Sequence, residues 1–441
     1  MTLFFTNKNY RLLFSASAVS NLGDGVSALA LPWLASLITR DPMLIATVAF
    51  ATRLPWFLCS IPAGVITDRY DRKHLMVGAD ILRMILTAGL VVCALTIPQP
   101  APAGAAFAAI LIVSGLAFLL GLAEVVRDNA AQTVLPSVVA KSDLERANGQ
   151  LWSIEQIMGA FIGPPLAGFM IAWAVPAPFV LDTLSFALAA GMVLFIAIPP
   201  RPVVIRRSVW REAVEGMVWI RFHRVILQLA LMLGVMNALG MLVVTILVLY
   251  SQEVLGLSVI QHGLLLIAGG AGGVVGGLIC PKIASVLGRR SALHCALVVW
   301  AVSNALLALV PSVLIVALAL FLEMFAALLW NVVTVSYRQR IIPDALLGRV
   351  NSIYRFFGWG LLPFGALASG AIVVMAEPDL GRALALRMPL VIAAVGSFAI
   401  LLYGLVWLQI DEELRFSGMG LRGRRLRRKV AAKVTSVCNF Y

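Results

Sequence analysis

The chain reads Gly64-Val65-Ile66-Thr67-Asp68-Arg69-Tyr70-Asp71-Arg72-Lys73 between two predominantly apolar runs, residues 43–66 and 74–98. Each run is long enough to cross the hydrocarbon core of a bilayer, which takes about 20 residues of helix. The charged residues between the runs are too few to form a domain of their own. We therefore expect two membrane helices joined by a short basic crossing, a name we use below for residues 64–73.

The composition extends this pattern to the whole chain. Of its 441 residues, 61% are hydrophobic and only 12% are charged, and the mean hydropathy is +0.97. An ordinary soluble domain has roughly 25% charged residues, so a water-soluble globular protein is excluded. The apolar runs leave room for roughly twelve membrane helices and short loops.

Breaks at charged or Pro- and Gly-rich stretches divide the chain into two sets of six predicted spans. The first set covers about residues 11–37, 43–66, 74–98, 104–127, 148–173 and 177–198. The second set covers about residues 225–250, 258–285, 290–310, 312–336, 350–375 and 386–408. We predict an all-α integral membrane protein with twelve transmembrane helices in two six-helix pseudo-repeats. Its parts are an N-terminal bundle (1–198), a cytoplasmic central loop (199–224), a C-terminal bundle (225–410) and a basic cytoplasmic tail (411–441).

The net charge of +13 would suggest a nucleic-acid partner for a soluble protein, but here the basic residues report topology. All but six of the 34 Lys and Arg residues fall on one side of the predicted layout; the exceptions are Arg40, Arg53, Arg83, Arg355, Arg382 and Arg387. Loops rich in Lys and Arg stay cytoplasmic. We predict that both termini are cytoplasmic, that no nucleic acid is bound, and that the tail meets anionic membrane lipids.

The two halves also share short stretches of sequence at equivalent places. Residues 132–136 after the fourth predicted span parallel residues 339–343 after the tenth, and each stretch precedes a helix that opens with Asn148 or Asn351. These matches suggest a duplicated bundle of the kind that rocks around a central site.

The basic crossing resembles the G-x-x-x-D-R-x-G-R-R/K motif of the major facilitator superfamily. Gly64, Asp68, Arg69, Arg72 and Lys73 match the motif, and an aspartate stands where the family usually has its second glycine. The resemblance implies the major facilitator fold of twelve helices. The alternative is a basic loop that only sets topology, but the positive-inside rule requires no particular Gly-Asp-Arg spacing.

A charge cluster of this kind can latch the two bundles on the cytoplasmic side. Asp68 at a helix end can face the positive N-terminus of a neighbouring helix, and we name Arg127 and Asp128 at the end of the fourth span as its partners. We predict a cytoplasmic gate made of the five matching residues of the crossing together with Arg127 and Asp128.

A second motif lies in the fifth span, which reads Gly159-Ala160-Phe161-Ile162-Gly163-Pro164-Pro165-Leu166-Ala167-Gly168. It resembles the G-x-x-x-G-P-x-x-G-G motif of exporters in the same superfamily, with Ala167 in place of one glycine. Gly159, Gly163, Pro164 and Gly168 are its matching residues. Small residues let helix backbones approach closely, so a generic helix-packing face is the alternative interpretation.

Three further stretches point to one branch of this superfamily. They are residues 21–25, the pair Pro32-Trp33 and residues 182–186, and they look like the branch of macrolide, multidrug and siderophore exporters. The resemblance implies that the first, fourth, seventh and tenth helices line a central cavity.

Among the charged residues inside predicted spans, four stand out as candidates for function, namely Asp24, Arg53, Glu155 and Glu323. A charge at membrane depth costs about 2.5 to 3.5 kcal/mol on insertion scales and therefore needs a partner or a purpose. We predict that all four are candidates for proton coupling, with Asp24 and Glu323 foremost, because burial favours the neutral carboxyl and a cationic neighbour favours the charged one. The alternative for Asp24 is a fixed ion pair with Arg53 that only holds helices together.

No enzymatic arrangement is evident in the sequence. The five cysteines are scattered without CxxC pairs, and the four histidines form no catalytic or zinc-binding pattern. We expect no enzyme activity, no metal site and no cofactor, with a proton gradient as the energy source.

These observations favour a multi-pass transporter of a bacterial inner membrane that works as a monomer. We predict proton-coupled efflux, by antiport and alternating access, of an amphipathic small molecule such as a drug, macrolide or siderophore. An importer or lysolipid translocator of the same fold is the nearest alternative. A receptor or scaffold without transport would leave the intramembrane charges unexplained.

Overall fold

The computed structural model describes residues 2–140, 143–197, 209–343, 346–408 and 410. Within these ranges every regular secondary-structure element is a helix, which confirms the predicted all-α class. Most of the helices are long, apolar and arranged side by side, as expected for a chain that satisfies its backbone polar groups inside each helix.

The N-terminal half contains six long helical passes. A short helix, α1 (Thr2–Thr6), precedes the first of them. The passes are α2 (Lys8–Ile38), α3 (Pro42–Arg69), α4 (Arg72–Thr96), α5 (Ala103–Val138), the pair α6 (Leu144–Glu155) and α7 (Gly163–Trp173), and α8 (Ala177–Leu194).

The second half repeats this arrangement after α9 (Val209–Phe222), a helix within the central segment 199–224. Its passes are α10 (Arg224–Leu249), α11 (Val259–Leu287), α12 (Arg289–Leu309), α13 (Val313–Ile341), the pair α14 (Leu347–Gly360) and α15 (Leu362–Leu380), and α17 (Met388–Trp407). The short helix α16 (Arg382–Ala385) joins the last two passes.

Eleven helical segments among the described residues are long and apolar enough to cross a membrane. α2 is not among these eleven, although it is 31 residues long and occupies the place of the first predicted span. Its Ser, Asn, Gly and Asp residues lower its hydropathy. The count of twelve therefore stays a prediction.

One predicted span is wrong at its end. The fourth span was expected to stop at residue 127, but α5 continues to Val138. A charged residue was taken as the helix end because charges are costly in lipid. In the structure Arg127 is only 4% exposed and lies against Asp80 of α4, so the charge is paired inside the bundle and the helix goes on.

The fifth pass is interrupted by a π-helical segment, Gln156–Ile162. The N–H of Gly163 bonds to the carbonyl of Met158, five residues back, instead of four. Pro164 and Pro165 follow and have no N–H to give, so the regular bonding of the preceding turn cannot be kept. The widened turn lies within the fifth-span motif.

The buried apolar residues form one large cluster that joins the halves and three clusters that do not. The joint cluster includes Leu34 of α2 and Ile246 of α10 and lies where α2 ends. Near the start of α2, the N-terminal half packs around Leu13 and Met76, and the C-terminal half packs separately. We call the side where α2 begins the basic side and the opposite one the far side. The halves are therefore packed together on the far side and form separate cores on the basic side.

Candidate functional site

The N-terminal half holds a buried guanidinium, that of Arg83 in α4, whose side chain is 3% exposed. Its Nη2 donates to the carboxylate of Asp24 in α2, and its Nη1 donates to Ser20 Oγ at 3.2 Å. The ring of Phe186 from α8 lies 3.9 Å from Arg83 Cζ. Arg83 thus joins three helices of this half around one charge.

Further charges continue from Arg83 through the interior. Asp80 Oδ1 lies 3.9 Å from Arg83 Nη1 and 3.5 Å from Arg127 Nε of α5. Arg127 Nη1 lies in turn 3.7 Å from Asp128 Oδ1. We call Asp24, Arg83, Asp80, Arg127 and Asp128 the charge chain. Its first and last side chains are 35% and 39% exposed, whereas the three between them are nearly or fully buried.

Two more carboxyls lie close to the charge chain. Asp182 of α8 is 1% exposed and accepts hydrogen bonds from Ser27 of α2 and, at 3.4 Å, from Ser185. Glu124 of α5 is half-buried and, like Asp182, lies within electrostatic reach of Arg83. Five carboxyls therefore surround two guanidinium groups in this part of the bundle.

Helical spacing explains how the sequence brings these side chains together. Residues three or four apart lie on one face of a helix. Asp80 and Arg83 are three apart in α4, and Glu124, Arg127 and Asp128 share one face of α5. The polar faces of the two helices meet inside the bundle, so opposite charges lie near one another away from lipid.

Of the four predicted coupling residues, Asp24 lies in the charge chain and pairs with Arg83, not with Arg53. Arg53 is exposed on α3. Glu155 is exposed at the end of α6, within electrostatic reach of Asp24 and Asp128. The structure therefore brings Glu155 and Asp24 toward one region.

Glu323 lies in the other half, on α13. It is half-buried, and a Cβ at Gly240 of α10 would lie 3.8 Å from its Oε1. The carboxyl therefore faces the helix equivalent to the seventh predicted span, apart from the charge chain.

The basic crossing is tied to α5 by a buried arginine. Arg72 is 6% exposed, and its Nη1 donates to the carbonyl of Thr133. Asp71 caps α4: the His74 N–H donates to Asp71 Oδ1 at 2.9 Å, and this bond lowers the pKa of the carboxyl. Asp71 thus serves as a helix cap at the position where the motif usually has glycine.

The remaining predicted gate residues are placed less closely together. Arg69 is exposed and Lys73 is half-exposed, while the surroundings of Gly64 and the Asp68 side chain lie outside the described residues. Arg127 is far from its expected place: it lies eleven residues before the end of α5, or about 16 Å along the helix axis. With Asp128 it belongs to the charge chain.

The fifth-span motif packs the fifth pass against its neighbours in both halves. A Cβ at Gly163 would lie 2.6 Å from Gly25 Cα of α2, and one at Gly25 would lie 2.7 Å from Gly159 Cα. A Cβ at Gly168 would lie 2.9 Å from the carbonyl of Val259, at the start of α11 in the other half. Pro164 begins α7 after the π-helical segment and is buried. The glycines are therefore needed for helix contact.

Aromatic rings line the seam between α3 and the eleventh pass. The rings of Trp56 and Trp359 lie 5.3 Å apart, and those of Phe57 and Phe356 stack at 5.4 Å. Arg355 Cζ lies 5.0 Å from the ring of Trp359. These contacts join the halves at mid-height.

A polar cluster joins the halves on the far side. Arg382 of α16 binds Glu253 through two bonds of 2.8 and 3.1 Å and binds Glu377 at 3.1 Å. Its Nη2 also donates to the carbonyl of Arg40, in the first half, at 2.6 Å. Gln252 adds a bond to Ser36 of α2 at 2.9 Å. We call these residues the far-side latch.

The chain matches a known family of membrane proteins. A model of the transmembrane secretion effector family matches residues 3–414. The chain belongs to the transmembrane secretion effector family. The resemblance to the major facilitator superfamily that was drawn from the basic crossing and the fifth-span motif is thereby confirmed, including its multidrug and macrolide branch.

Relatives of this family member carry names that agree with transport. The chain is 25% identical to the multidrug efflux pump Tap of Mycobacterium bovis, over 86% of this chain and 90% of that one. It is 22% identical to macrolide efflux protein A of Streptococcus pyogenes, over 82% and 89%. Its fold is similar to the crystal structure of the nucleoside transporter NupG, with a TM-score of 0.71, 14% identity and coverage of 90% and 100%. The chain is thus a multi-pass membrane transporter of the major facilitator type.

Sequence patterns did not identify Asp80, Arg83 and Asp182 as members of the buried charge cluster. Asp80 was not recognised as a buried charge, and Arg83 was only counted for topology. The available signal was their spacing of three inside an otherwise apolar run. Asp182 entered the sequence analysis only as part of residues 182–186, and the structure shows it fully buried beside Ser27.

Proposed function

We propose that the protein exports an amphipathic small molecule from bacteria in exchange for protons. In this proposal it lies in the inner membrane with the basic side and both termini in the cytoplasm, because Lys- and Arg-rich segments stay on that side. It works as a monomer among membrane lipids, and the proton gradient supplies the energy.

The observation that carries this proposal is the membrane-embedded ion pair between Asp24 and Arg83. Asp24 is 35% exposed while Arg83 is 3% exposed, so the carboxylate is partly accessible while its partner is held by the bundle. A proton or the cationic group of a substrate competes with Arg83 for the same carboxylate. Two ligands that compete for one site are the simplest basis for exchange.

The excess of carboxyls supports a role in proton binding. The charge chain, Glu124 and Asp182 together bring five carboxyls to two guanidinium groups. Like charges at low dielectric disfavour one another's ionised forms. This excess of negative charge favours binding of the exchanged proton in the cluster. Glu323 adds a separate carboxyl in the other half.

Alternating access is supported by the packing of the halves, and the outward direction of transport is supported by the relatives. The halves form a joint core on the far side and separate cores on the basic side, as expected when the interior is open to the cytoplasm. Alternating access would open the far side by breaking the far-side latch. Two relatives are named as efflux proteins.

Gradient-driven uptake into liposomes tests this proposal. The purified protein is reconstituted, and the accumulation of ethidium and of erythromycin is measured with an acidic, a neutral or an alkaline lumen. Molecules whose basic side faces outward should accumulate the probe when the lumen is acidic. Asp24→Asn should lower this accumulation about tenfold, because the competing proton no longer binds.

Matched measurements separate the alternatives. Asp379→Asn, at an exposed carboxylate on the far side of α15, should leave accumulation unchanged. Accumulation only with an alkaline lumen would indicate proton-coupled import, and movement of fluorescent lysolipid alone would indicate a lipid translocator. No gradient-dependent movement of any of the three probes would contradict proton-coupled transport.

A further inference from the structure

Arg83 lies between two carboxylates but is bonded to one of them. Its Nη2 donates to Asp24, one helix away, while its Nη1 is 3.9 Å from Asp80 Oδ1 on the preceding turn of its own helix. A charged N–H donor normally approaches a carboxylate oxygen to about 2.7–2.9 Å. The distance between Arg83 Nη1 and Asp80 Oδ1 is therefore about 1 Å longer than that of a charged hydrogen bond.

Asp80 is buried in a way that such carboxylates seldom are. It is 0% exposed, and among the described residues neither of its oxygens makes a hydrogen bond of good geometry. Its nearest donors are Arg127 Nε at 3.5 Å and Arg83 Nη1 at 3.9 Å. Buried polar groups are nearly always hydrogen-bonded in stable proteins. The interior of the charge chain thus holds an acceptor between two cations, with long contacts to both.

Several other ionisable groups set the balance of charge around this pair. They come from every helix that faces it, and they are Asp24 of α2, Arg53 of α3, Glu124, Arg127 and Asp128 of α5, Glu155 of α6 and Asp182 of α8. Among the carboxylates that face Arg83, Asp24 holds a direct ion pair and Asp80 is the next within 4.0 Å. If Asp24 loses its charge, Asp80 becomes the strongest available partner for the guanidinium.

We propose that Asp80 is the alternative partner of Arg83, and that the guanidinium moves from Asp24 to Asp80 when a proton or a cationic group neutralises Asp24. The proposal rests on the proposed function and adds a positioning residue to it. The exchange weakens the tie between α4 and α2. α2 packs against the fifth pass through Gly25 and Gly163, and the fifth pass contacts α11 of the other half at Gly168. A change at Asp24 can therefore be transmitted through the fifth pass to the interface between the halves.

A thermodynamic cycle tests the exchange without any transport measurement. The thermal midpoint of the full-length protein in detergent is measured for the wild type, Asp80→Asn, Asp24→Asn and the double variant. Asp24→Asn mimics the neutralised carboxyl, so Asp80 should matter more in that background. Asp80→Asn should lower the thermal midpoint at least about twofold more in the Asp24→Asn background than in the wild type.

The result that overturns the exchange is equally specific. If Asp80 serves only as a fixed partner of Arg127, Asp80→Asn lowers the midpoint by the same amount in both backgrounds. Asp379→Asn is the control and should have the same small effect in both. A wild type that shows no gradient-driven transport would contradict the proposed function, whereas this cycle would still decide the exchange.

A second measurement uses only single variants in case the double variant does not fold. The thermal midpoint in detergent is measured with and without ethidium, whose cationic group neutralises Asp24 in this proposal. Ethidium should raise the midpoint of the wild type at least about twofold more than that of Asp80→Asn, because only the wild type offers the released guanidinium a second carboxylate. An equal rise in both proteins would overturn the exchange.

Discussion

Arg83 and Arg127 lie against carboxylates inside the N-terminal half, whereas Arg338, a buried guanidinium of the C-terminal half, has neutral partners among the described residues. Its Nε donates to the Thr334 carbonyl at 3.3 Å and its Nη1 donates to Asn351 Oδ1 at 2.9 Å. Ser303, Asn304 and Ser369 of the same half donate to backbone carbonyls at 2.7, 2.9 and 2.8 Å. The two halves thus satisfy membrane-embedded polar groups by different chemistry, although they share one arrangement of helices.

The difference assigns different work to each half. A hydroxyl bonded to a carbonyl keeps the same charge at any pH of biological interest. An ion pair changes when a proton neutralises its carboxylate, and at low dielectric that change is large. We infer that the N-terminal half responds to protons and that the C-terminal half is a stable counterpart, in which Glu323 is the one carboxyl of the described membrane passes that lies away from a helix end.

The largest expected effect is the loss of the Arg83 charge. Arg83→Met should lower the free energy of unfolding by about 3 kcal/mol, because Asp24 and Asp80 are left without their cation. Arg83→Lys should restore part of the loss. Thermal unfolding in detergent measures both. Ser303→Ala in the C-terminal half should cost only about 0.6 kcal/mol, typical of hydrogen bonds between membrane helices.

One control variant accompanies this comparison. Arg11→Met, at an exposed position of α2, should leave the unfolding midpoint unchanged. Equal losses for Arg83→Met and Ser303→Ala would mean that the halves do not differ in the way described.

Helix packing should be about equally sensitive in both halves. Gly163→Ala places a Cβ 2.6 Å from Gly25 Cα, and Gly365→Ala places one 2.9 Å from Ala238 Cα. Each should cost about 1–3 kcal/mol of unfolding free energy through overpacking. Gly191→Ala, where no heavy atom lies within 4 Å of the new Cβ, is the matched control. A neutral result for Gly163→Ala alone would show that α2 and α7 can separate without loss.

Glu323→Gln should have a smaller effect on transport than Asp24→Asn. It should lower gradient-driven accumulation about threefold, since no guanidinium is released when Glu323 is neutralised. Insertion and gradient-free exchange should stay intact. If Glu323→Gln lowers accumulation as much as Asp24→Asn does, each half contains a proton site of equal importance.

A small change in stability is expected at the far-side latch. Arg382 is 27% exposed on its side chain and pairs with Glu253 and Glu377, and partly exposed ion pairs contribute about 0.2–1 kcal/mol each. Arg382→Gln should therefore lower the unfolding midpoint less than Arg83→Met does. Hydrogen exchange at the far-side ends of α2 and α15 should nevertheless rise severalfold, because the latch joins the halves there. Unchanged exchange at these ends would remove the latch from the gating model.

The class of fold was predictable from the sequence because apolar runs of membrane length have few alternatives to helices. The partners of the charges were not predictable. Asp24 pairs with Arg83 instead of Arg53 because the rotation and neighbours of each helix decide which faces meet. The end of α5 was misplaced for the same reason, since Arg127 is a helix end only if no partner lies inside the bundle.

The candidate site was predictable in part. Asp24 was recognised as a costly charge in lipid, and the residues of the fifth-span motif were recognised by spacing. Asp80 could have been found from its spacing to Arg83. The cluster itself requires four helices to converge, which local patterns do not encode.

Proton movement during exchange tests the central claim most directly. Reconstituted liposomes hold a pH-sensitive dye in the lumen, and erythromycin is added outside with the external pH equal to that of an acidic lumen. The account predicts that erythromycin raises the luminal pH with the wild type and with Asp379→Asn, and that Asp24→Asn abolishes this change. Equal proton movement by Asp24→Asn and the wild type would contradict the account.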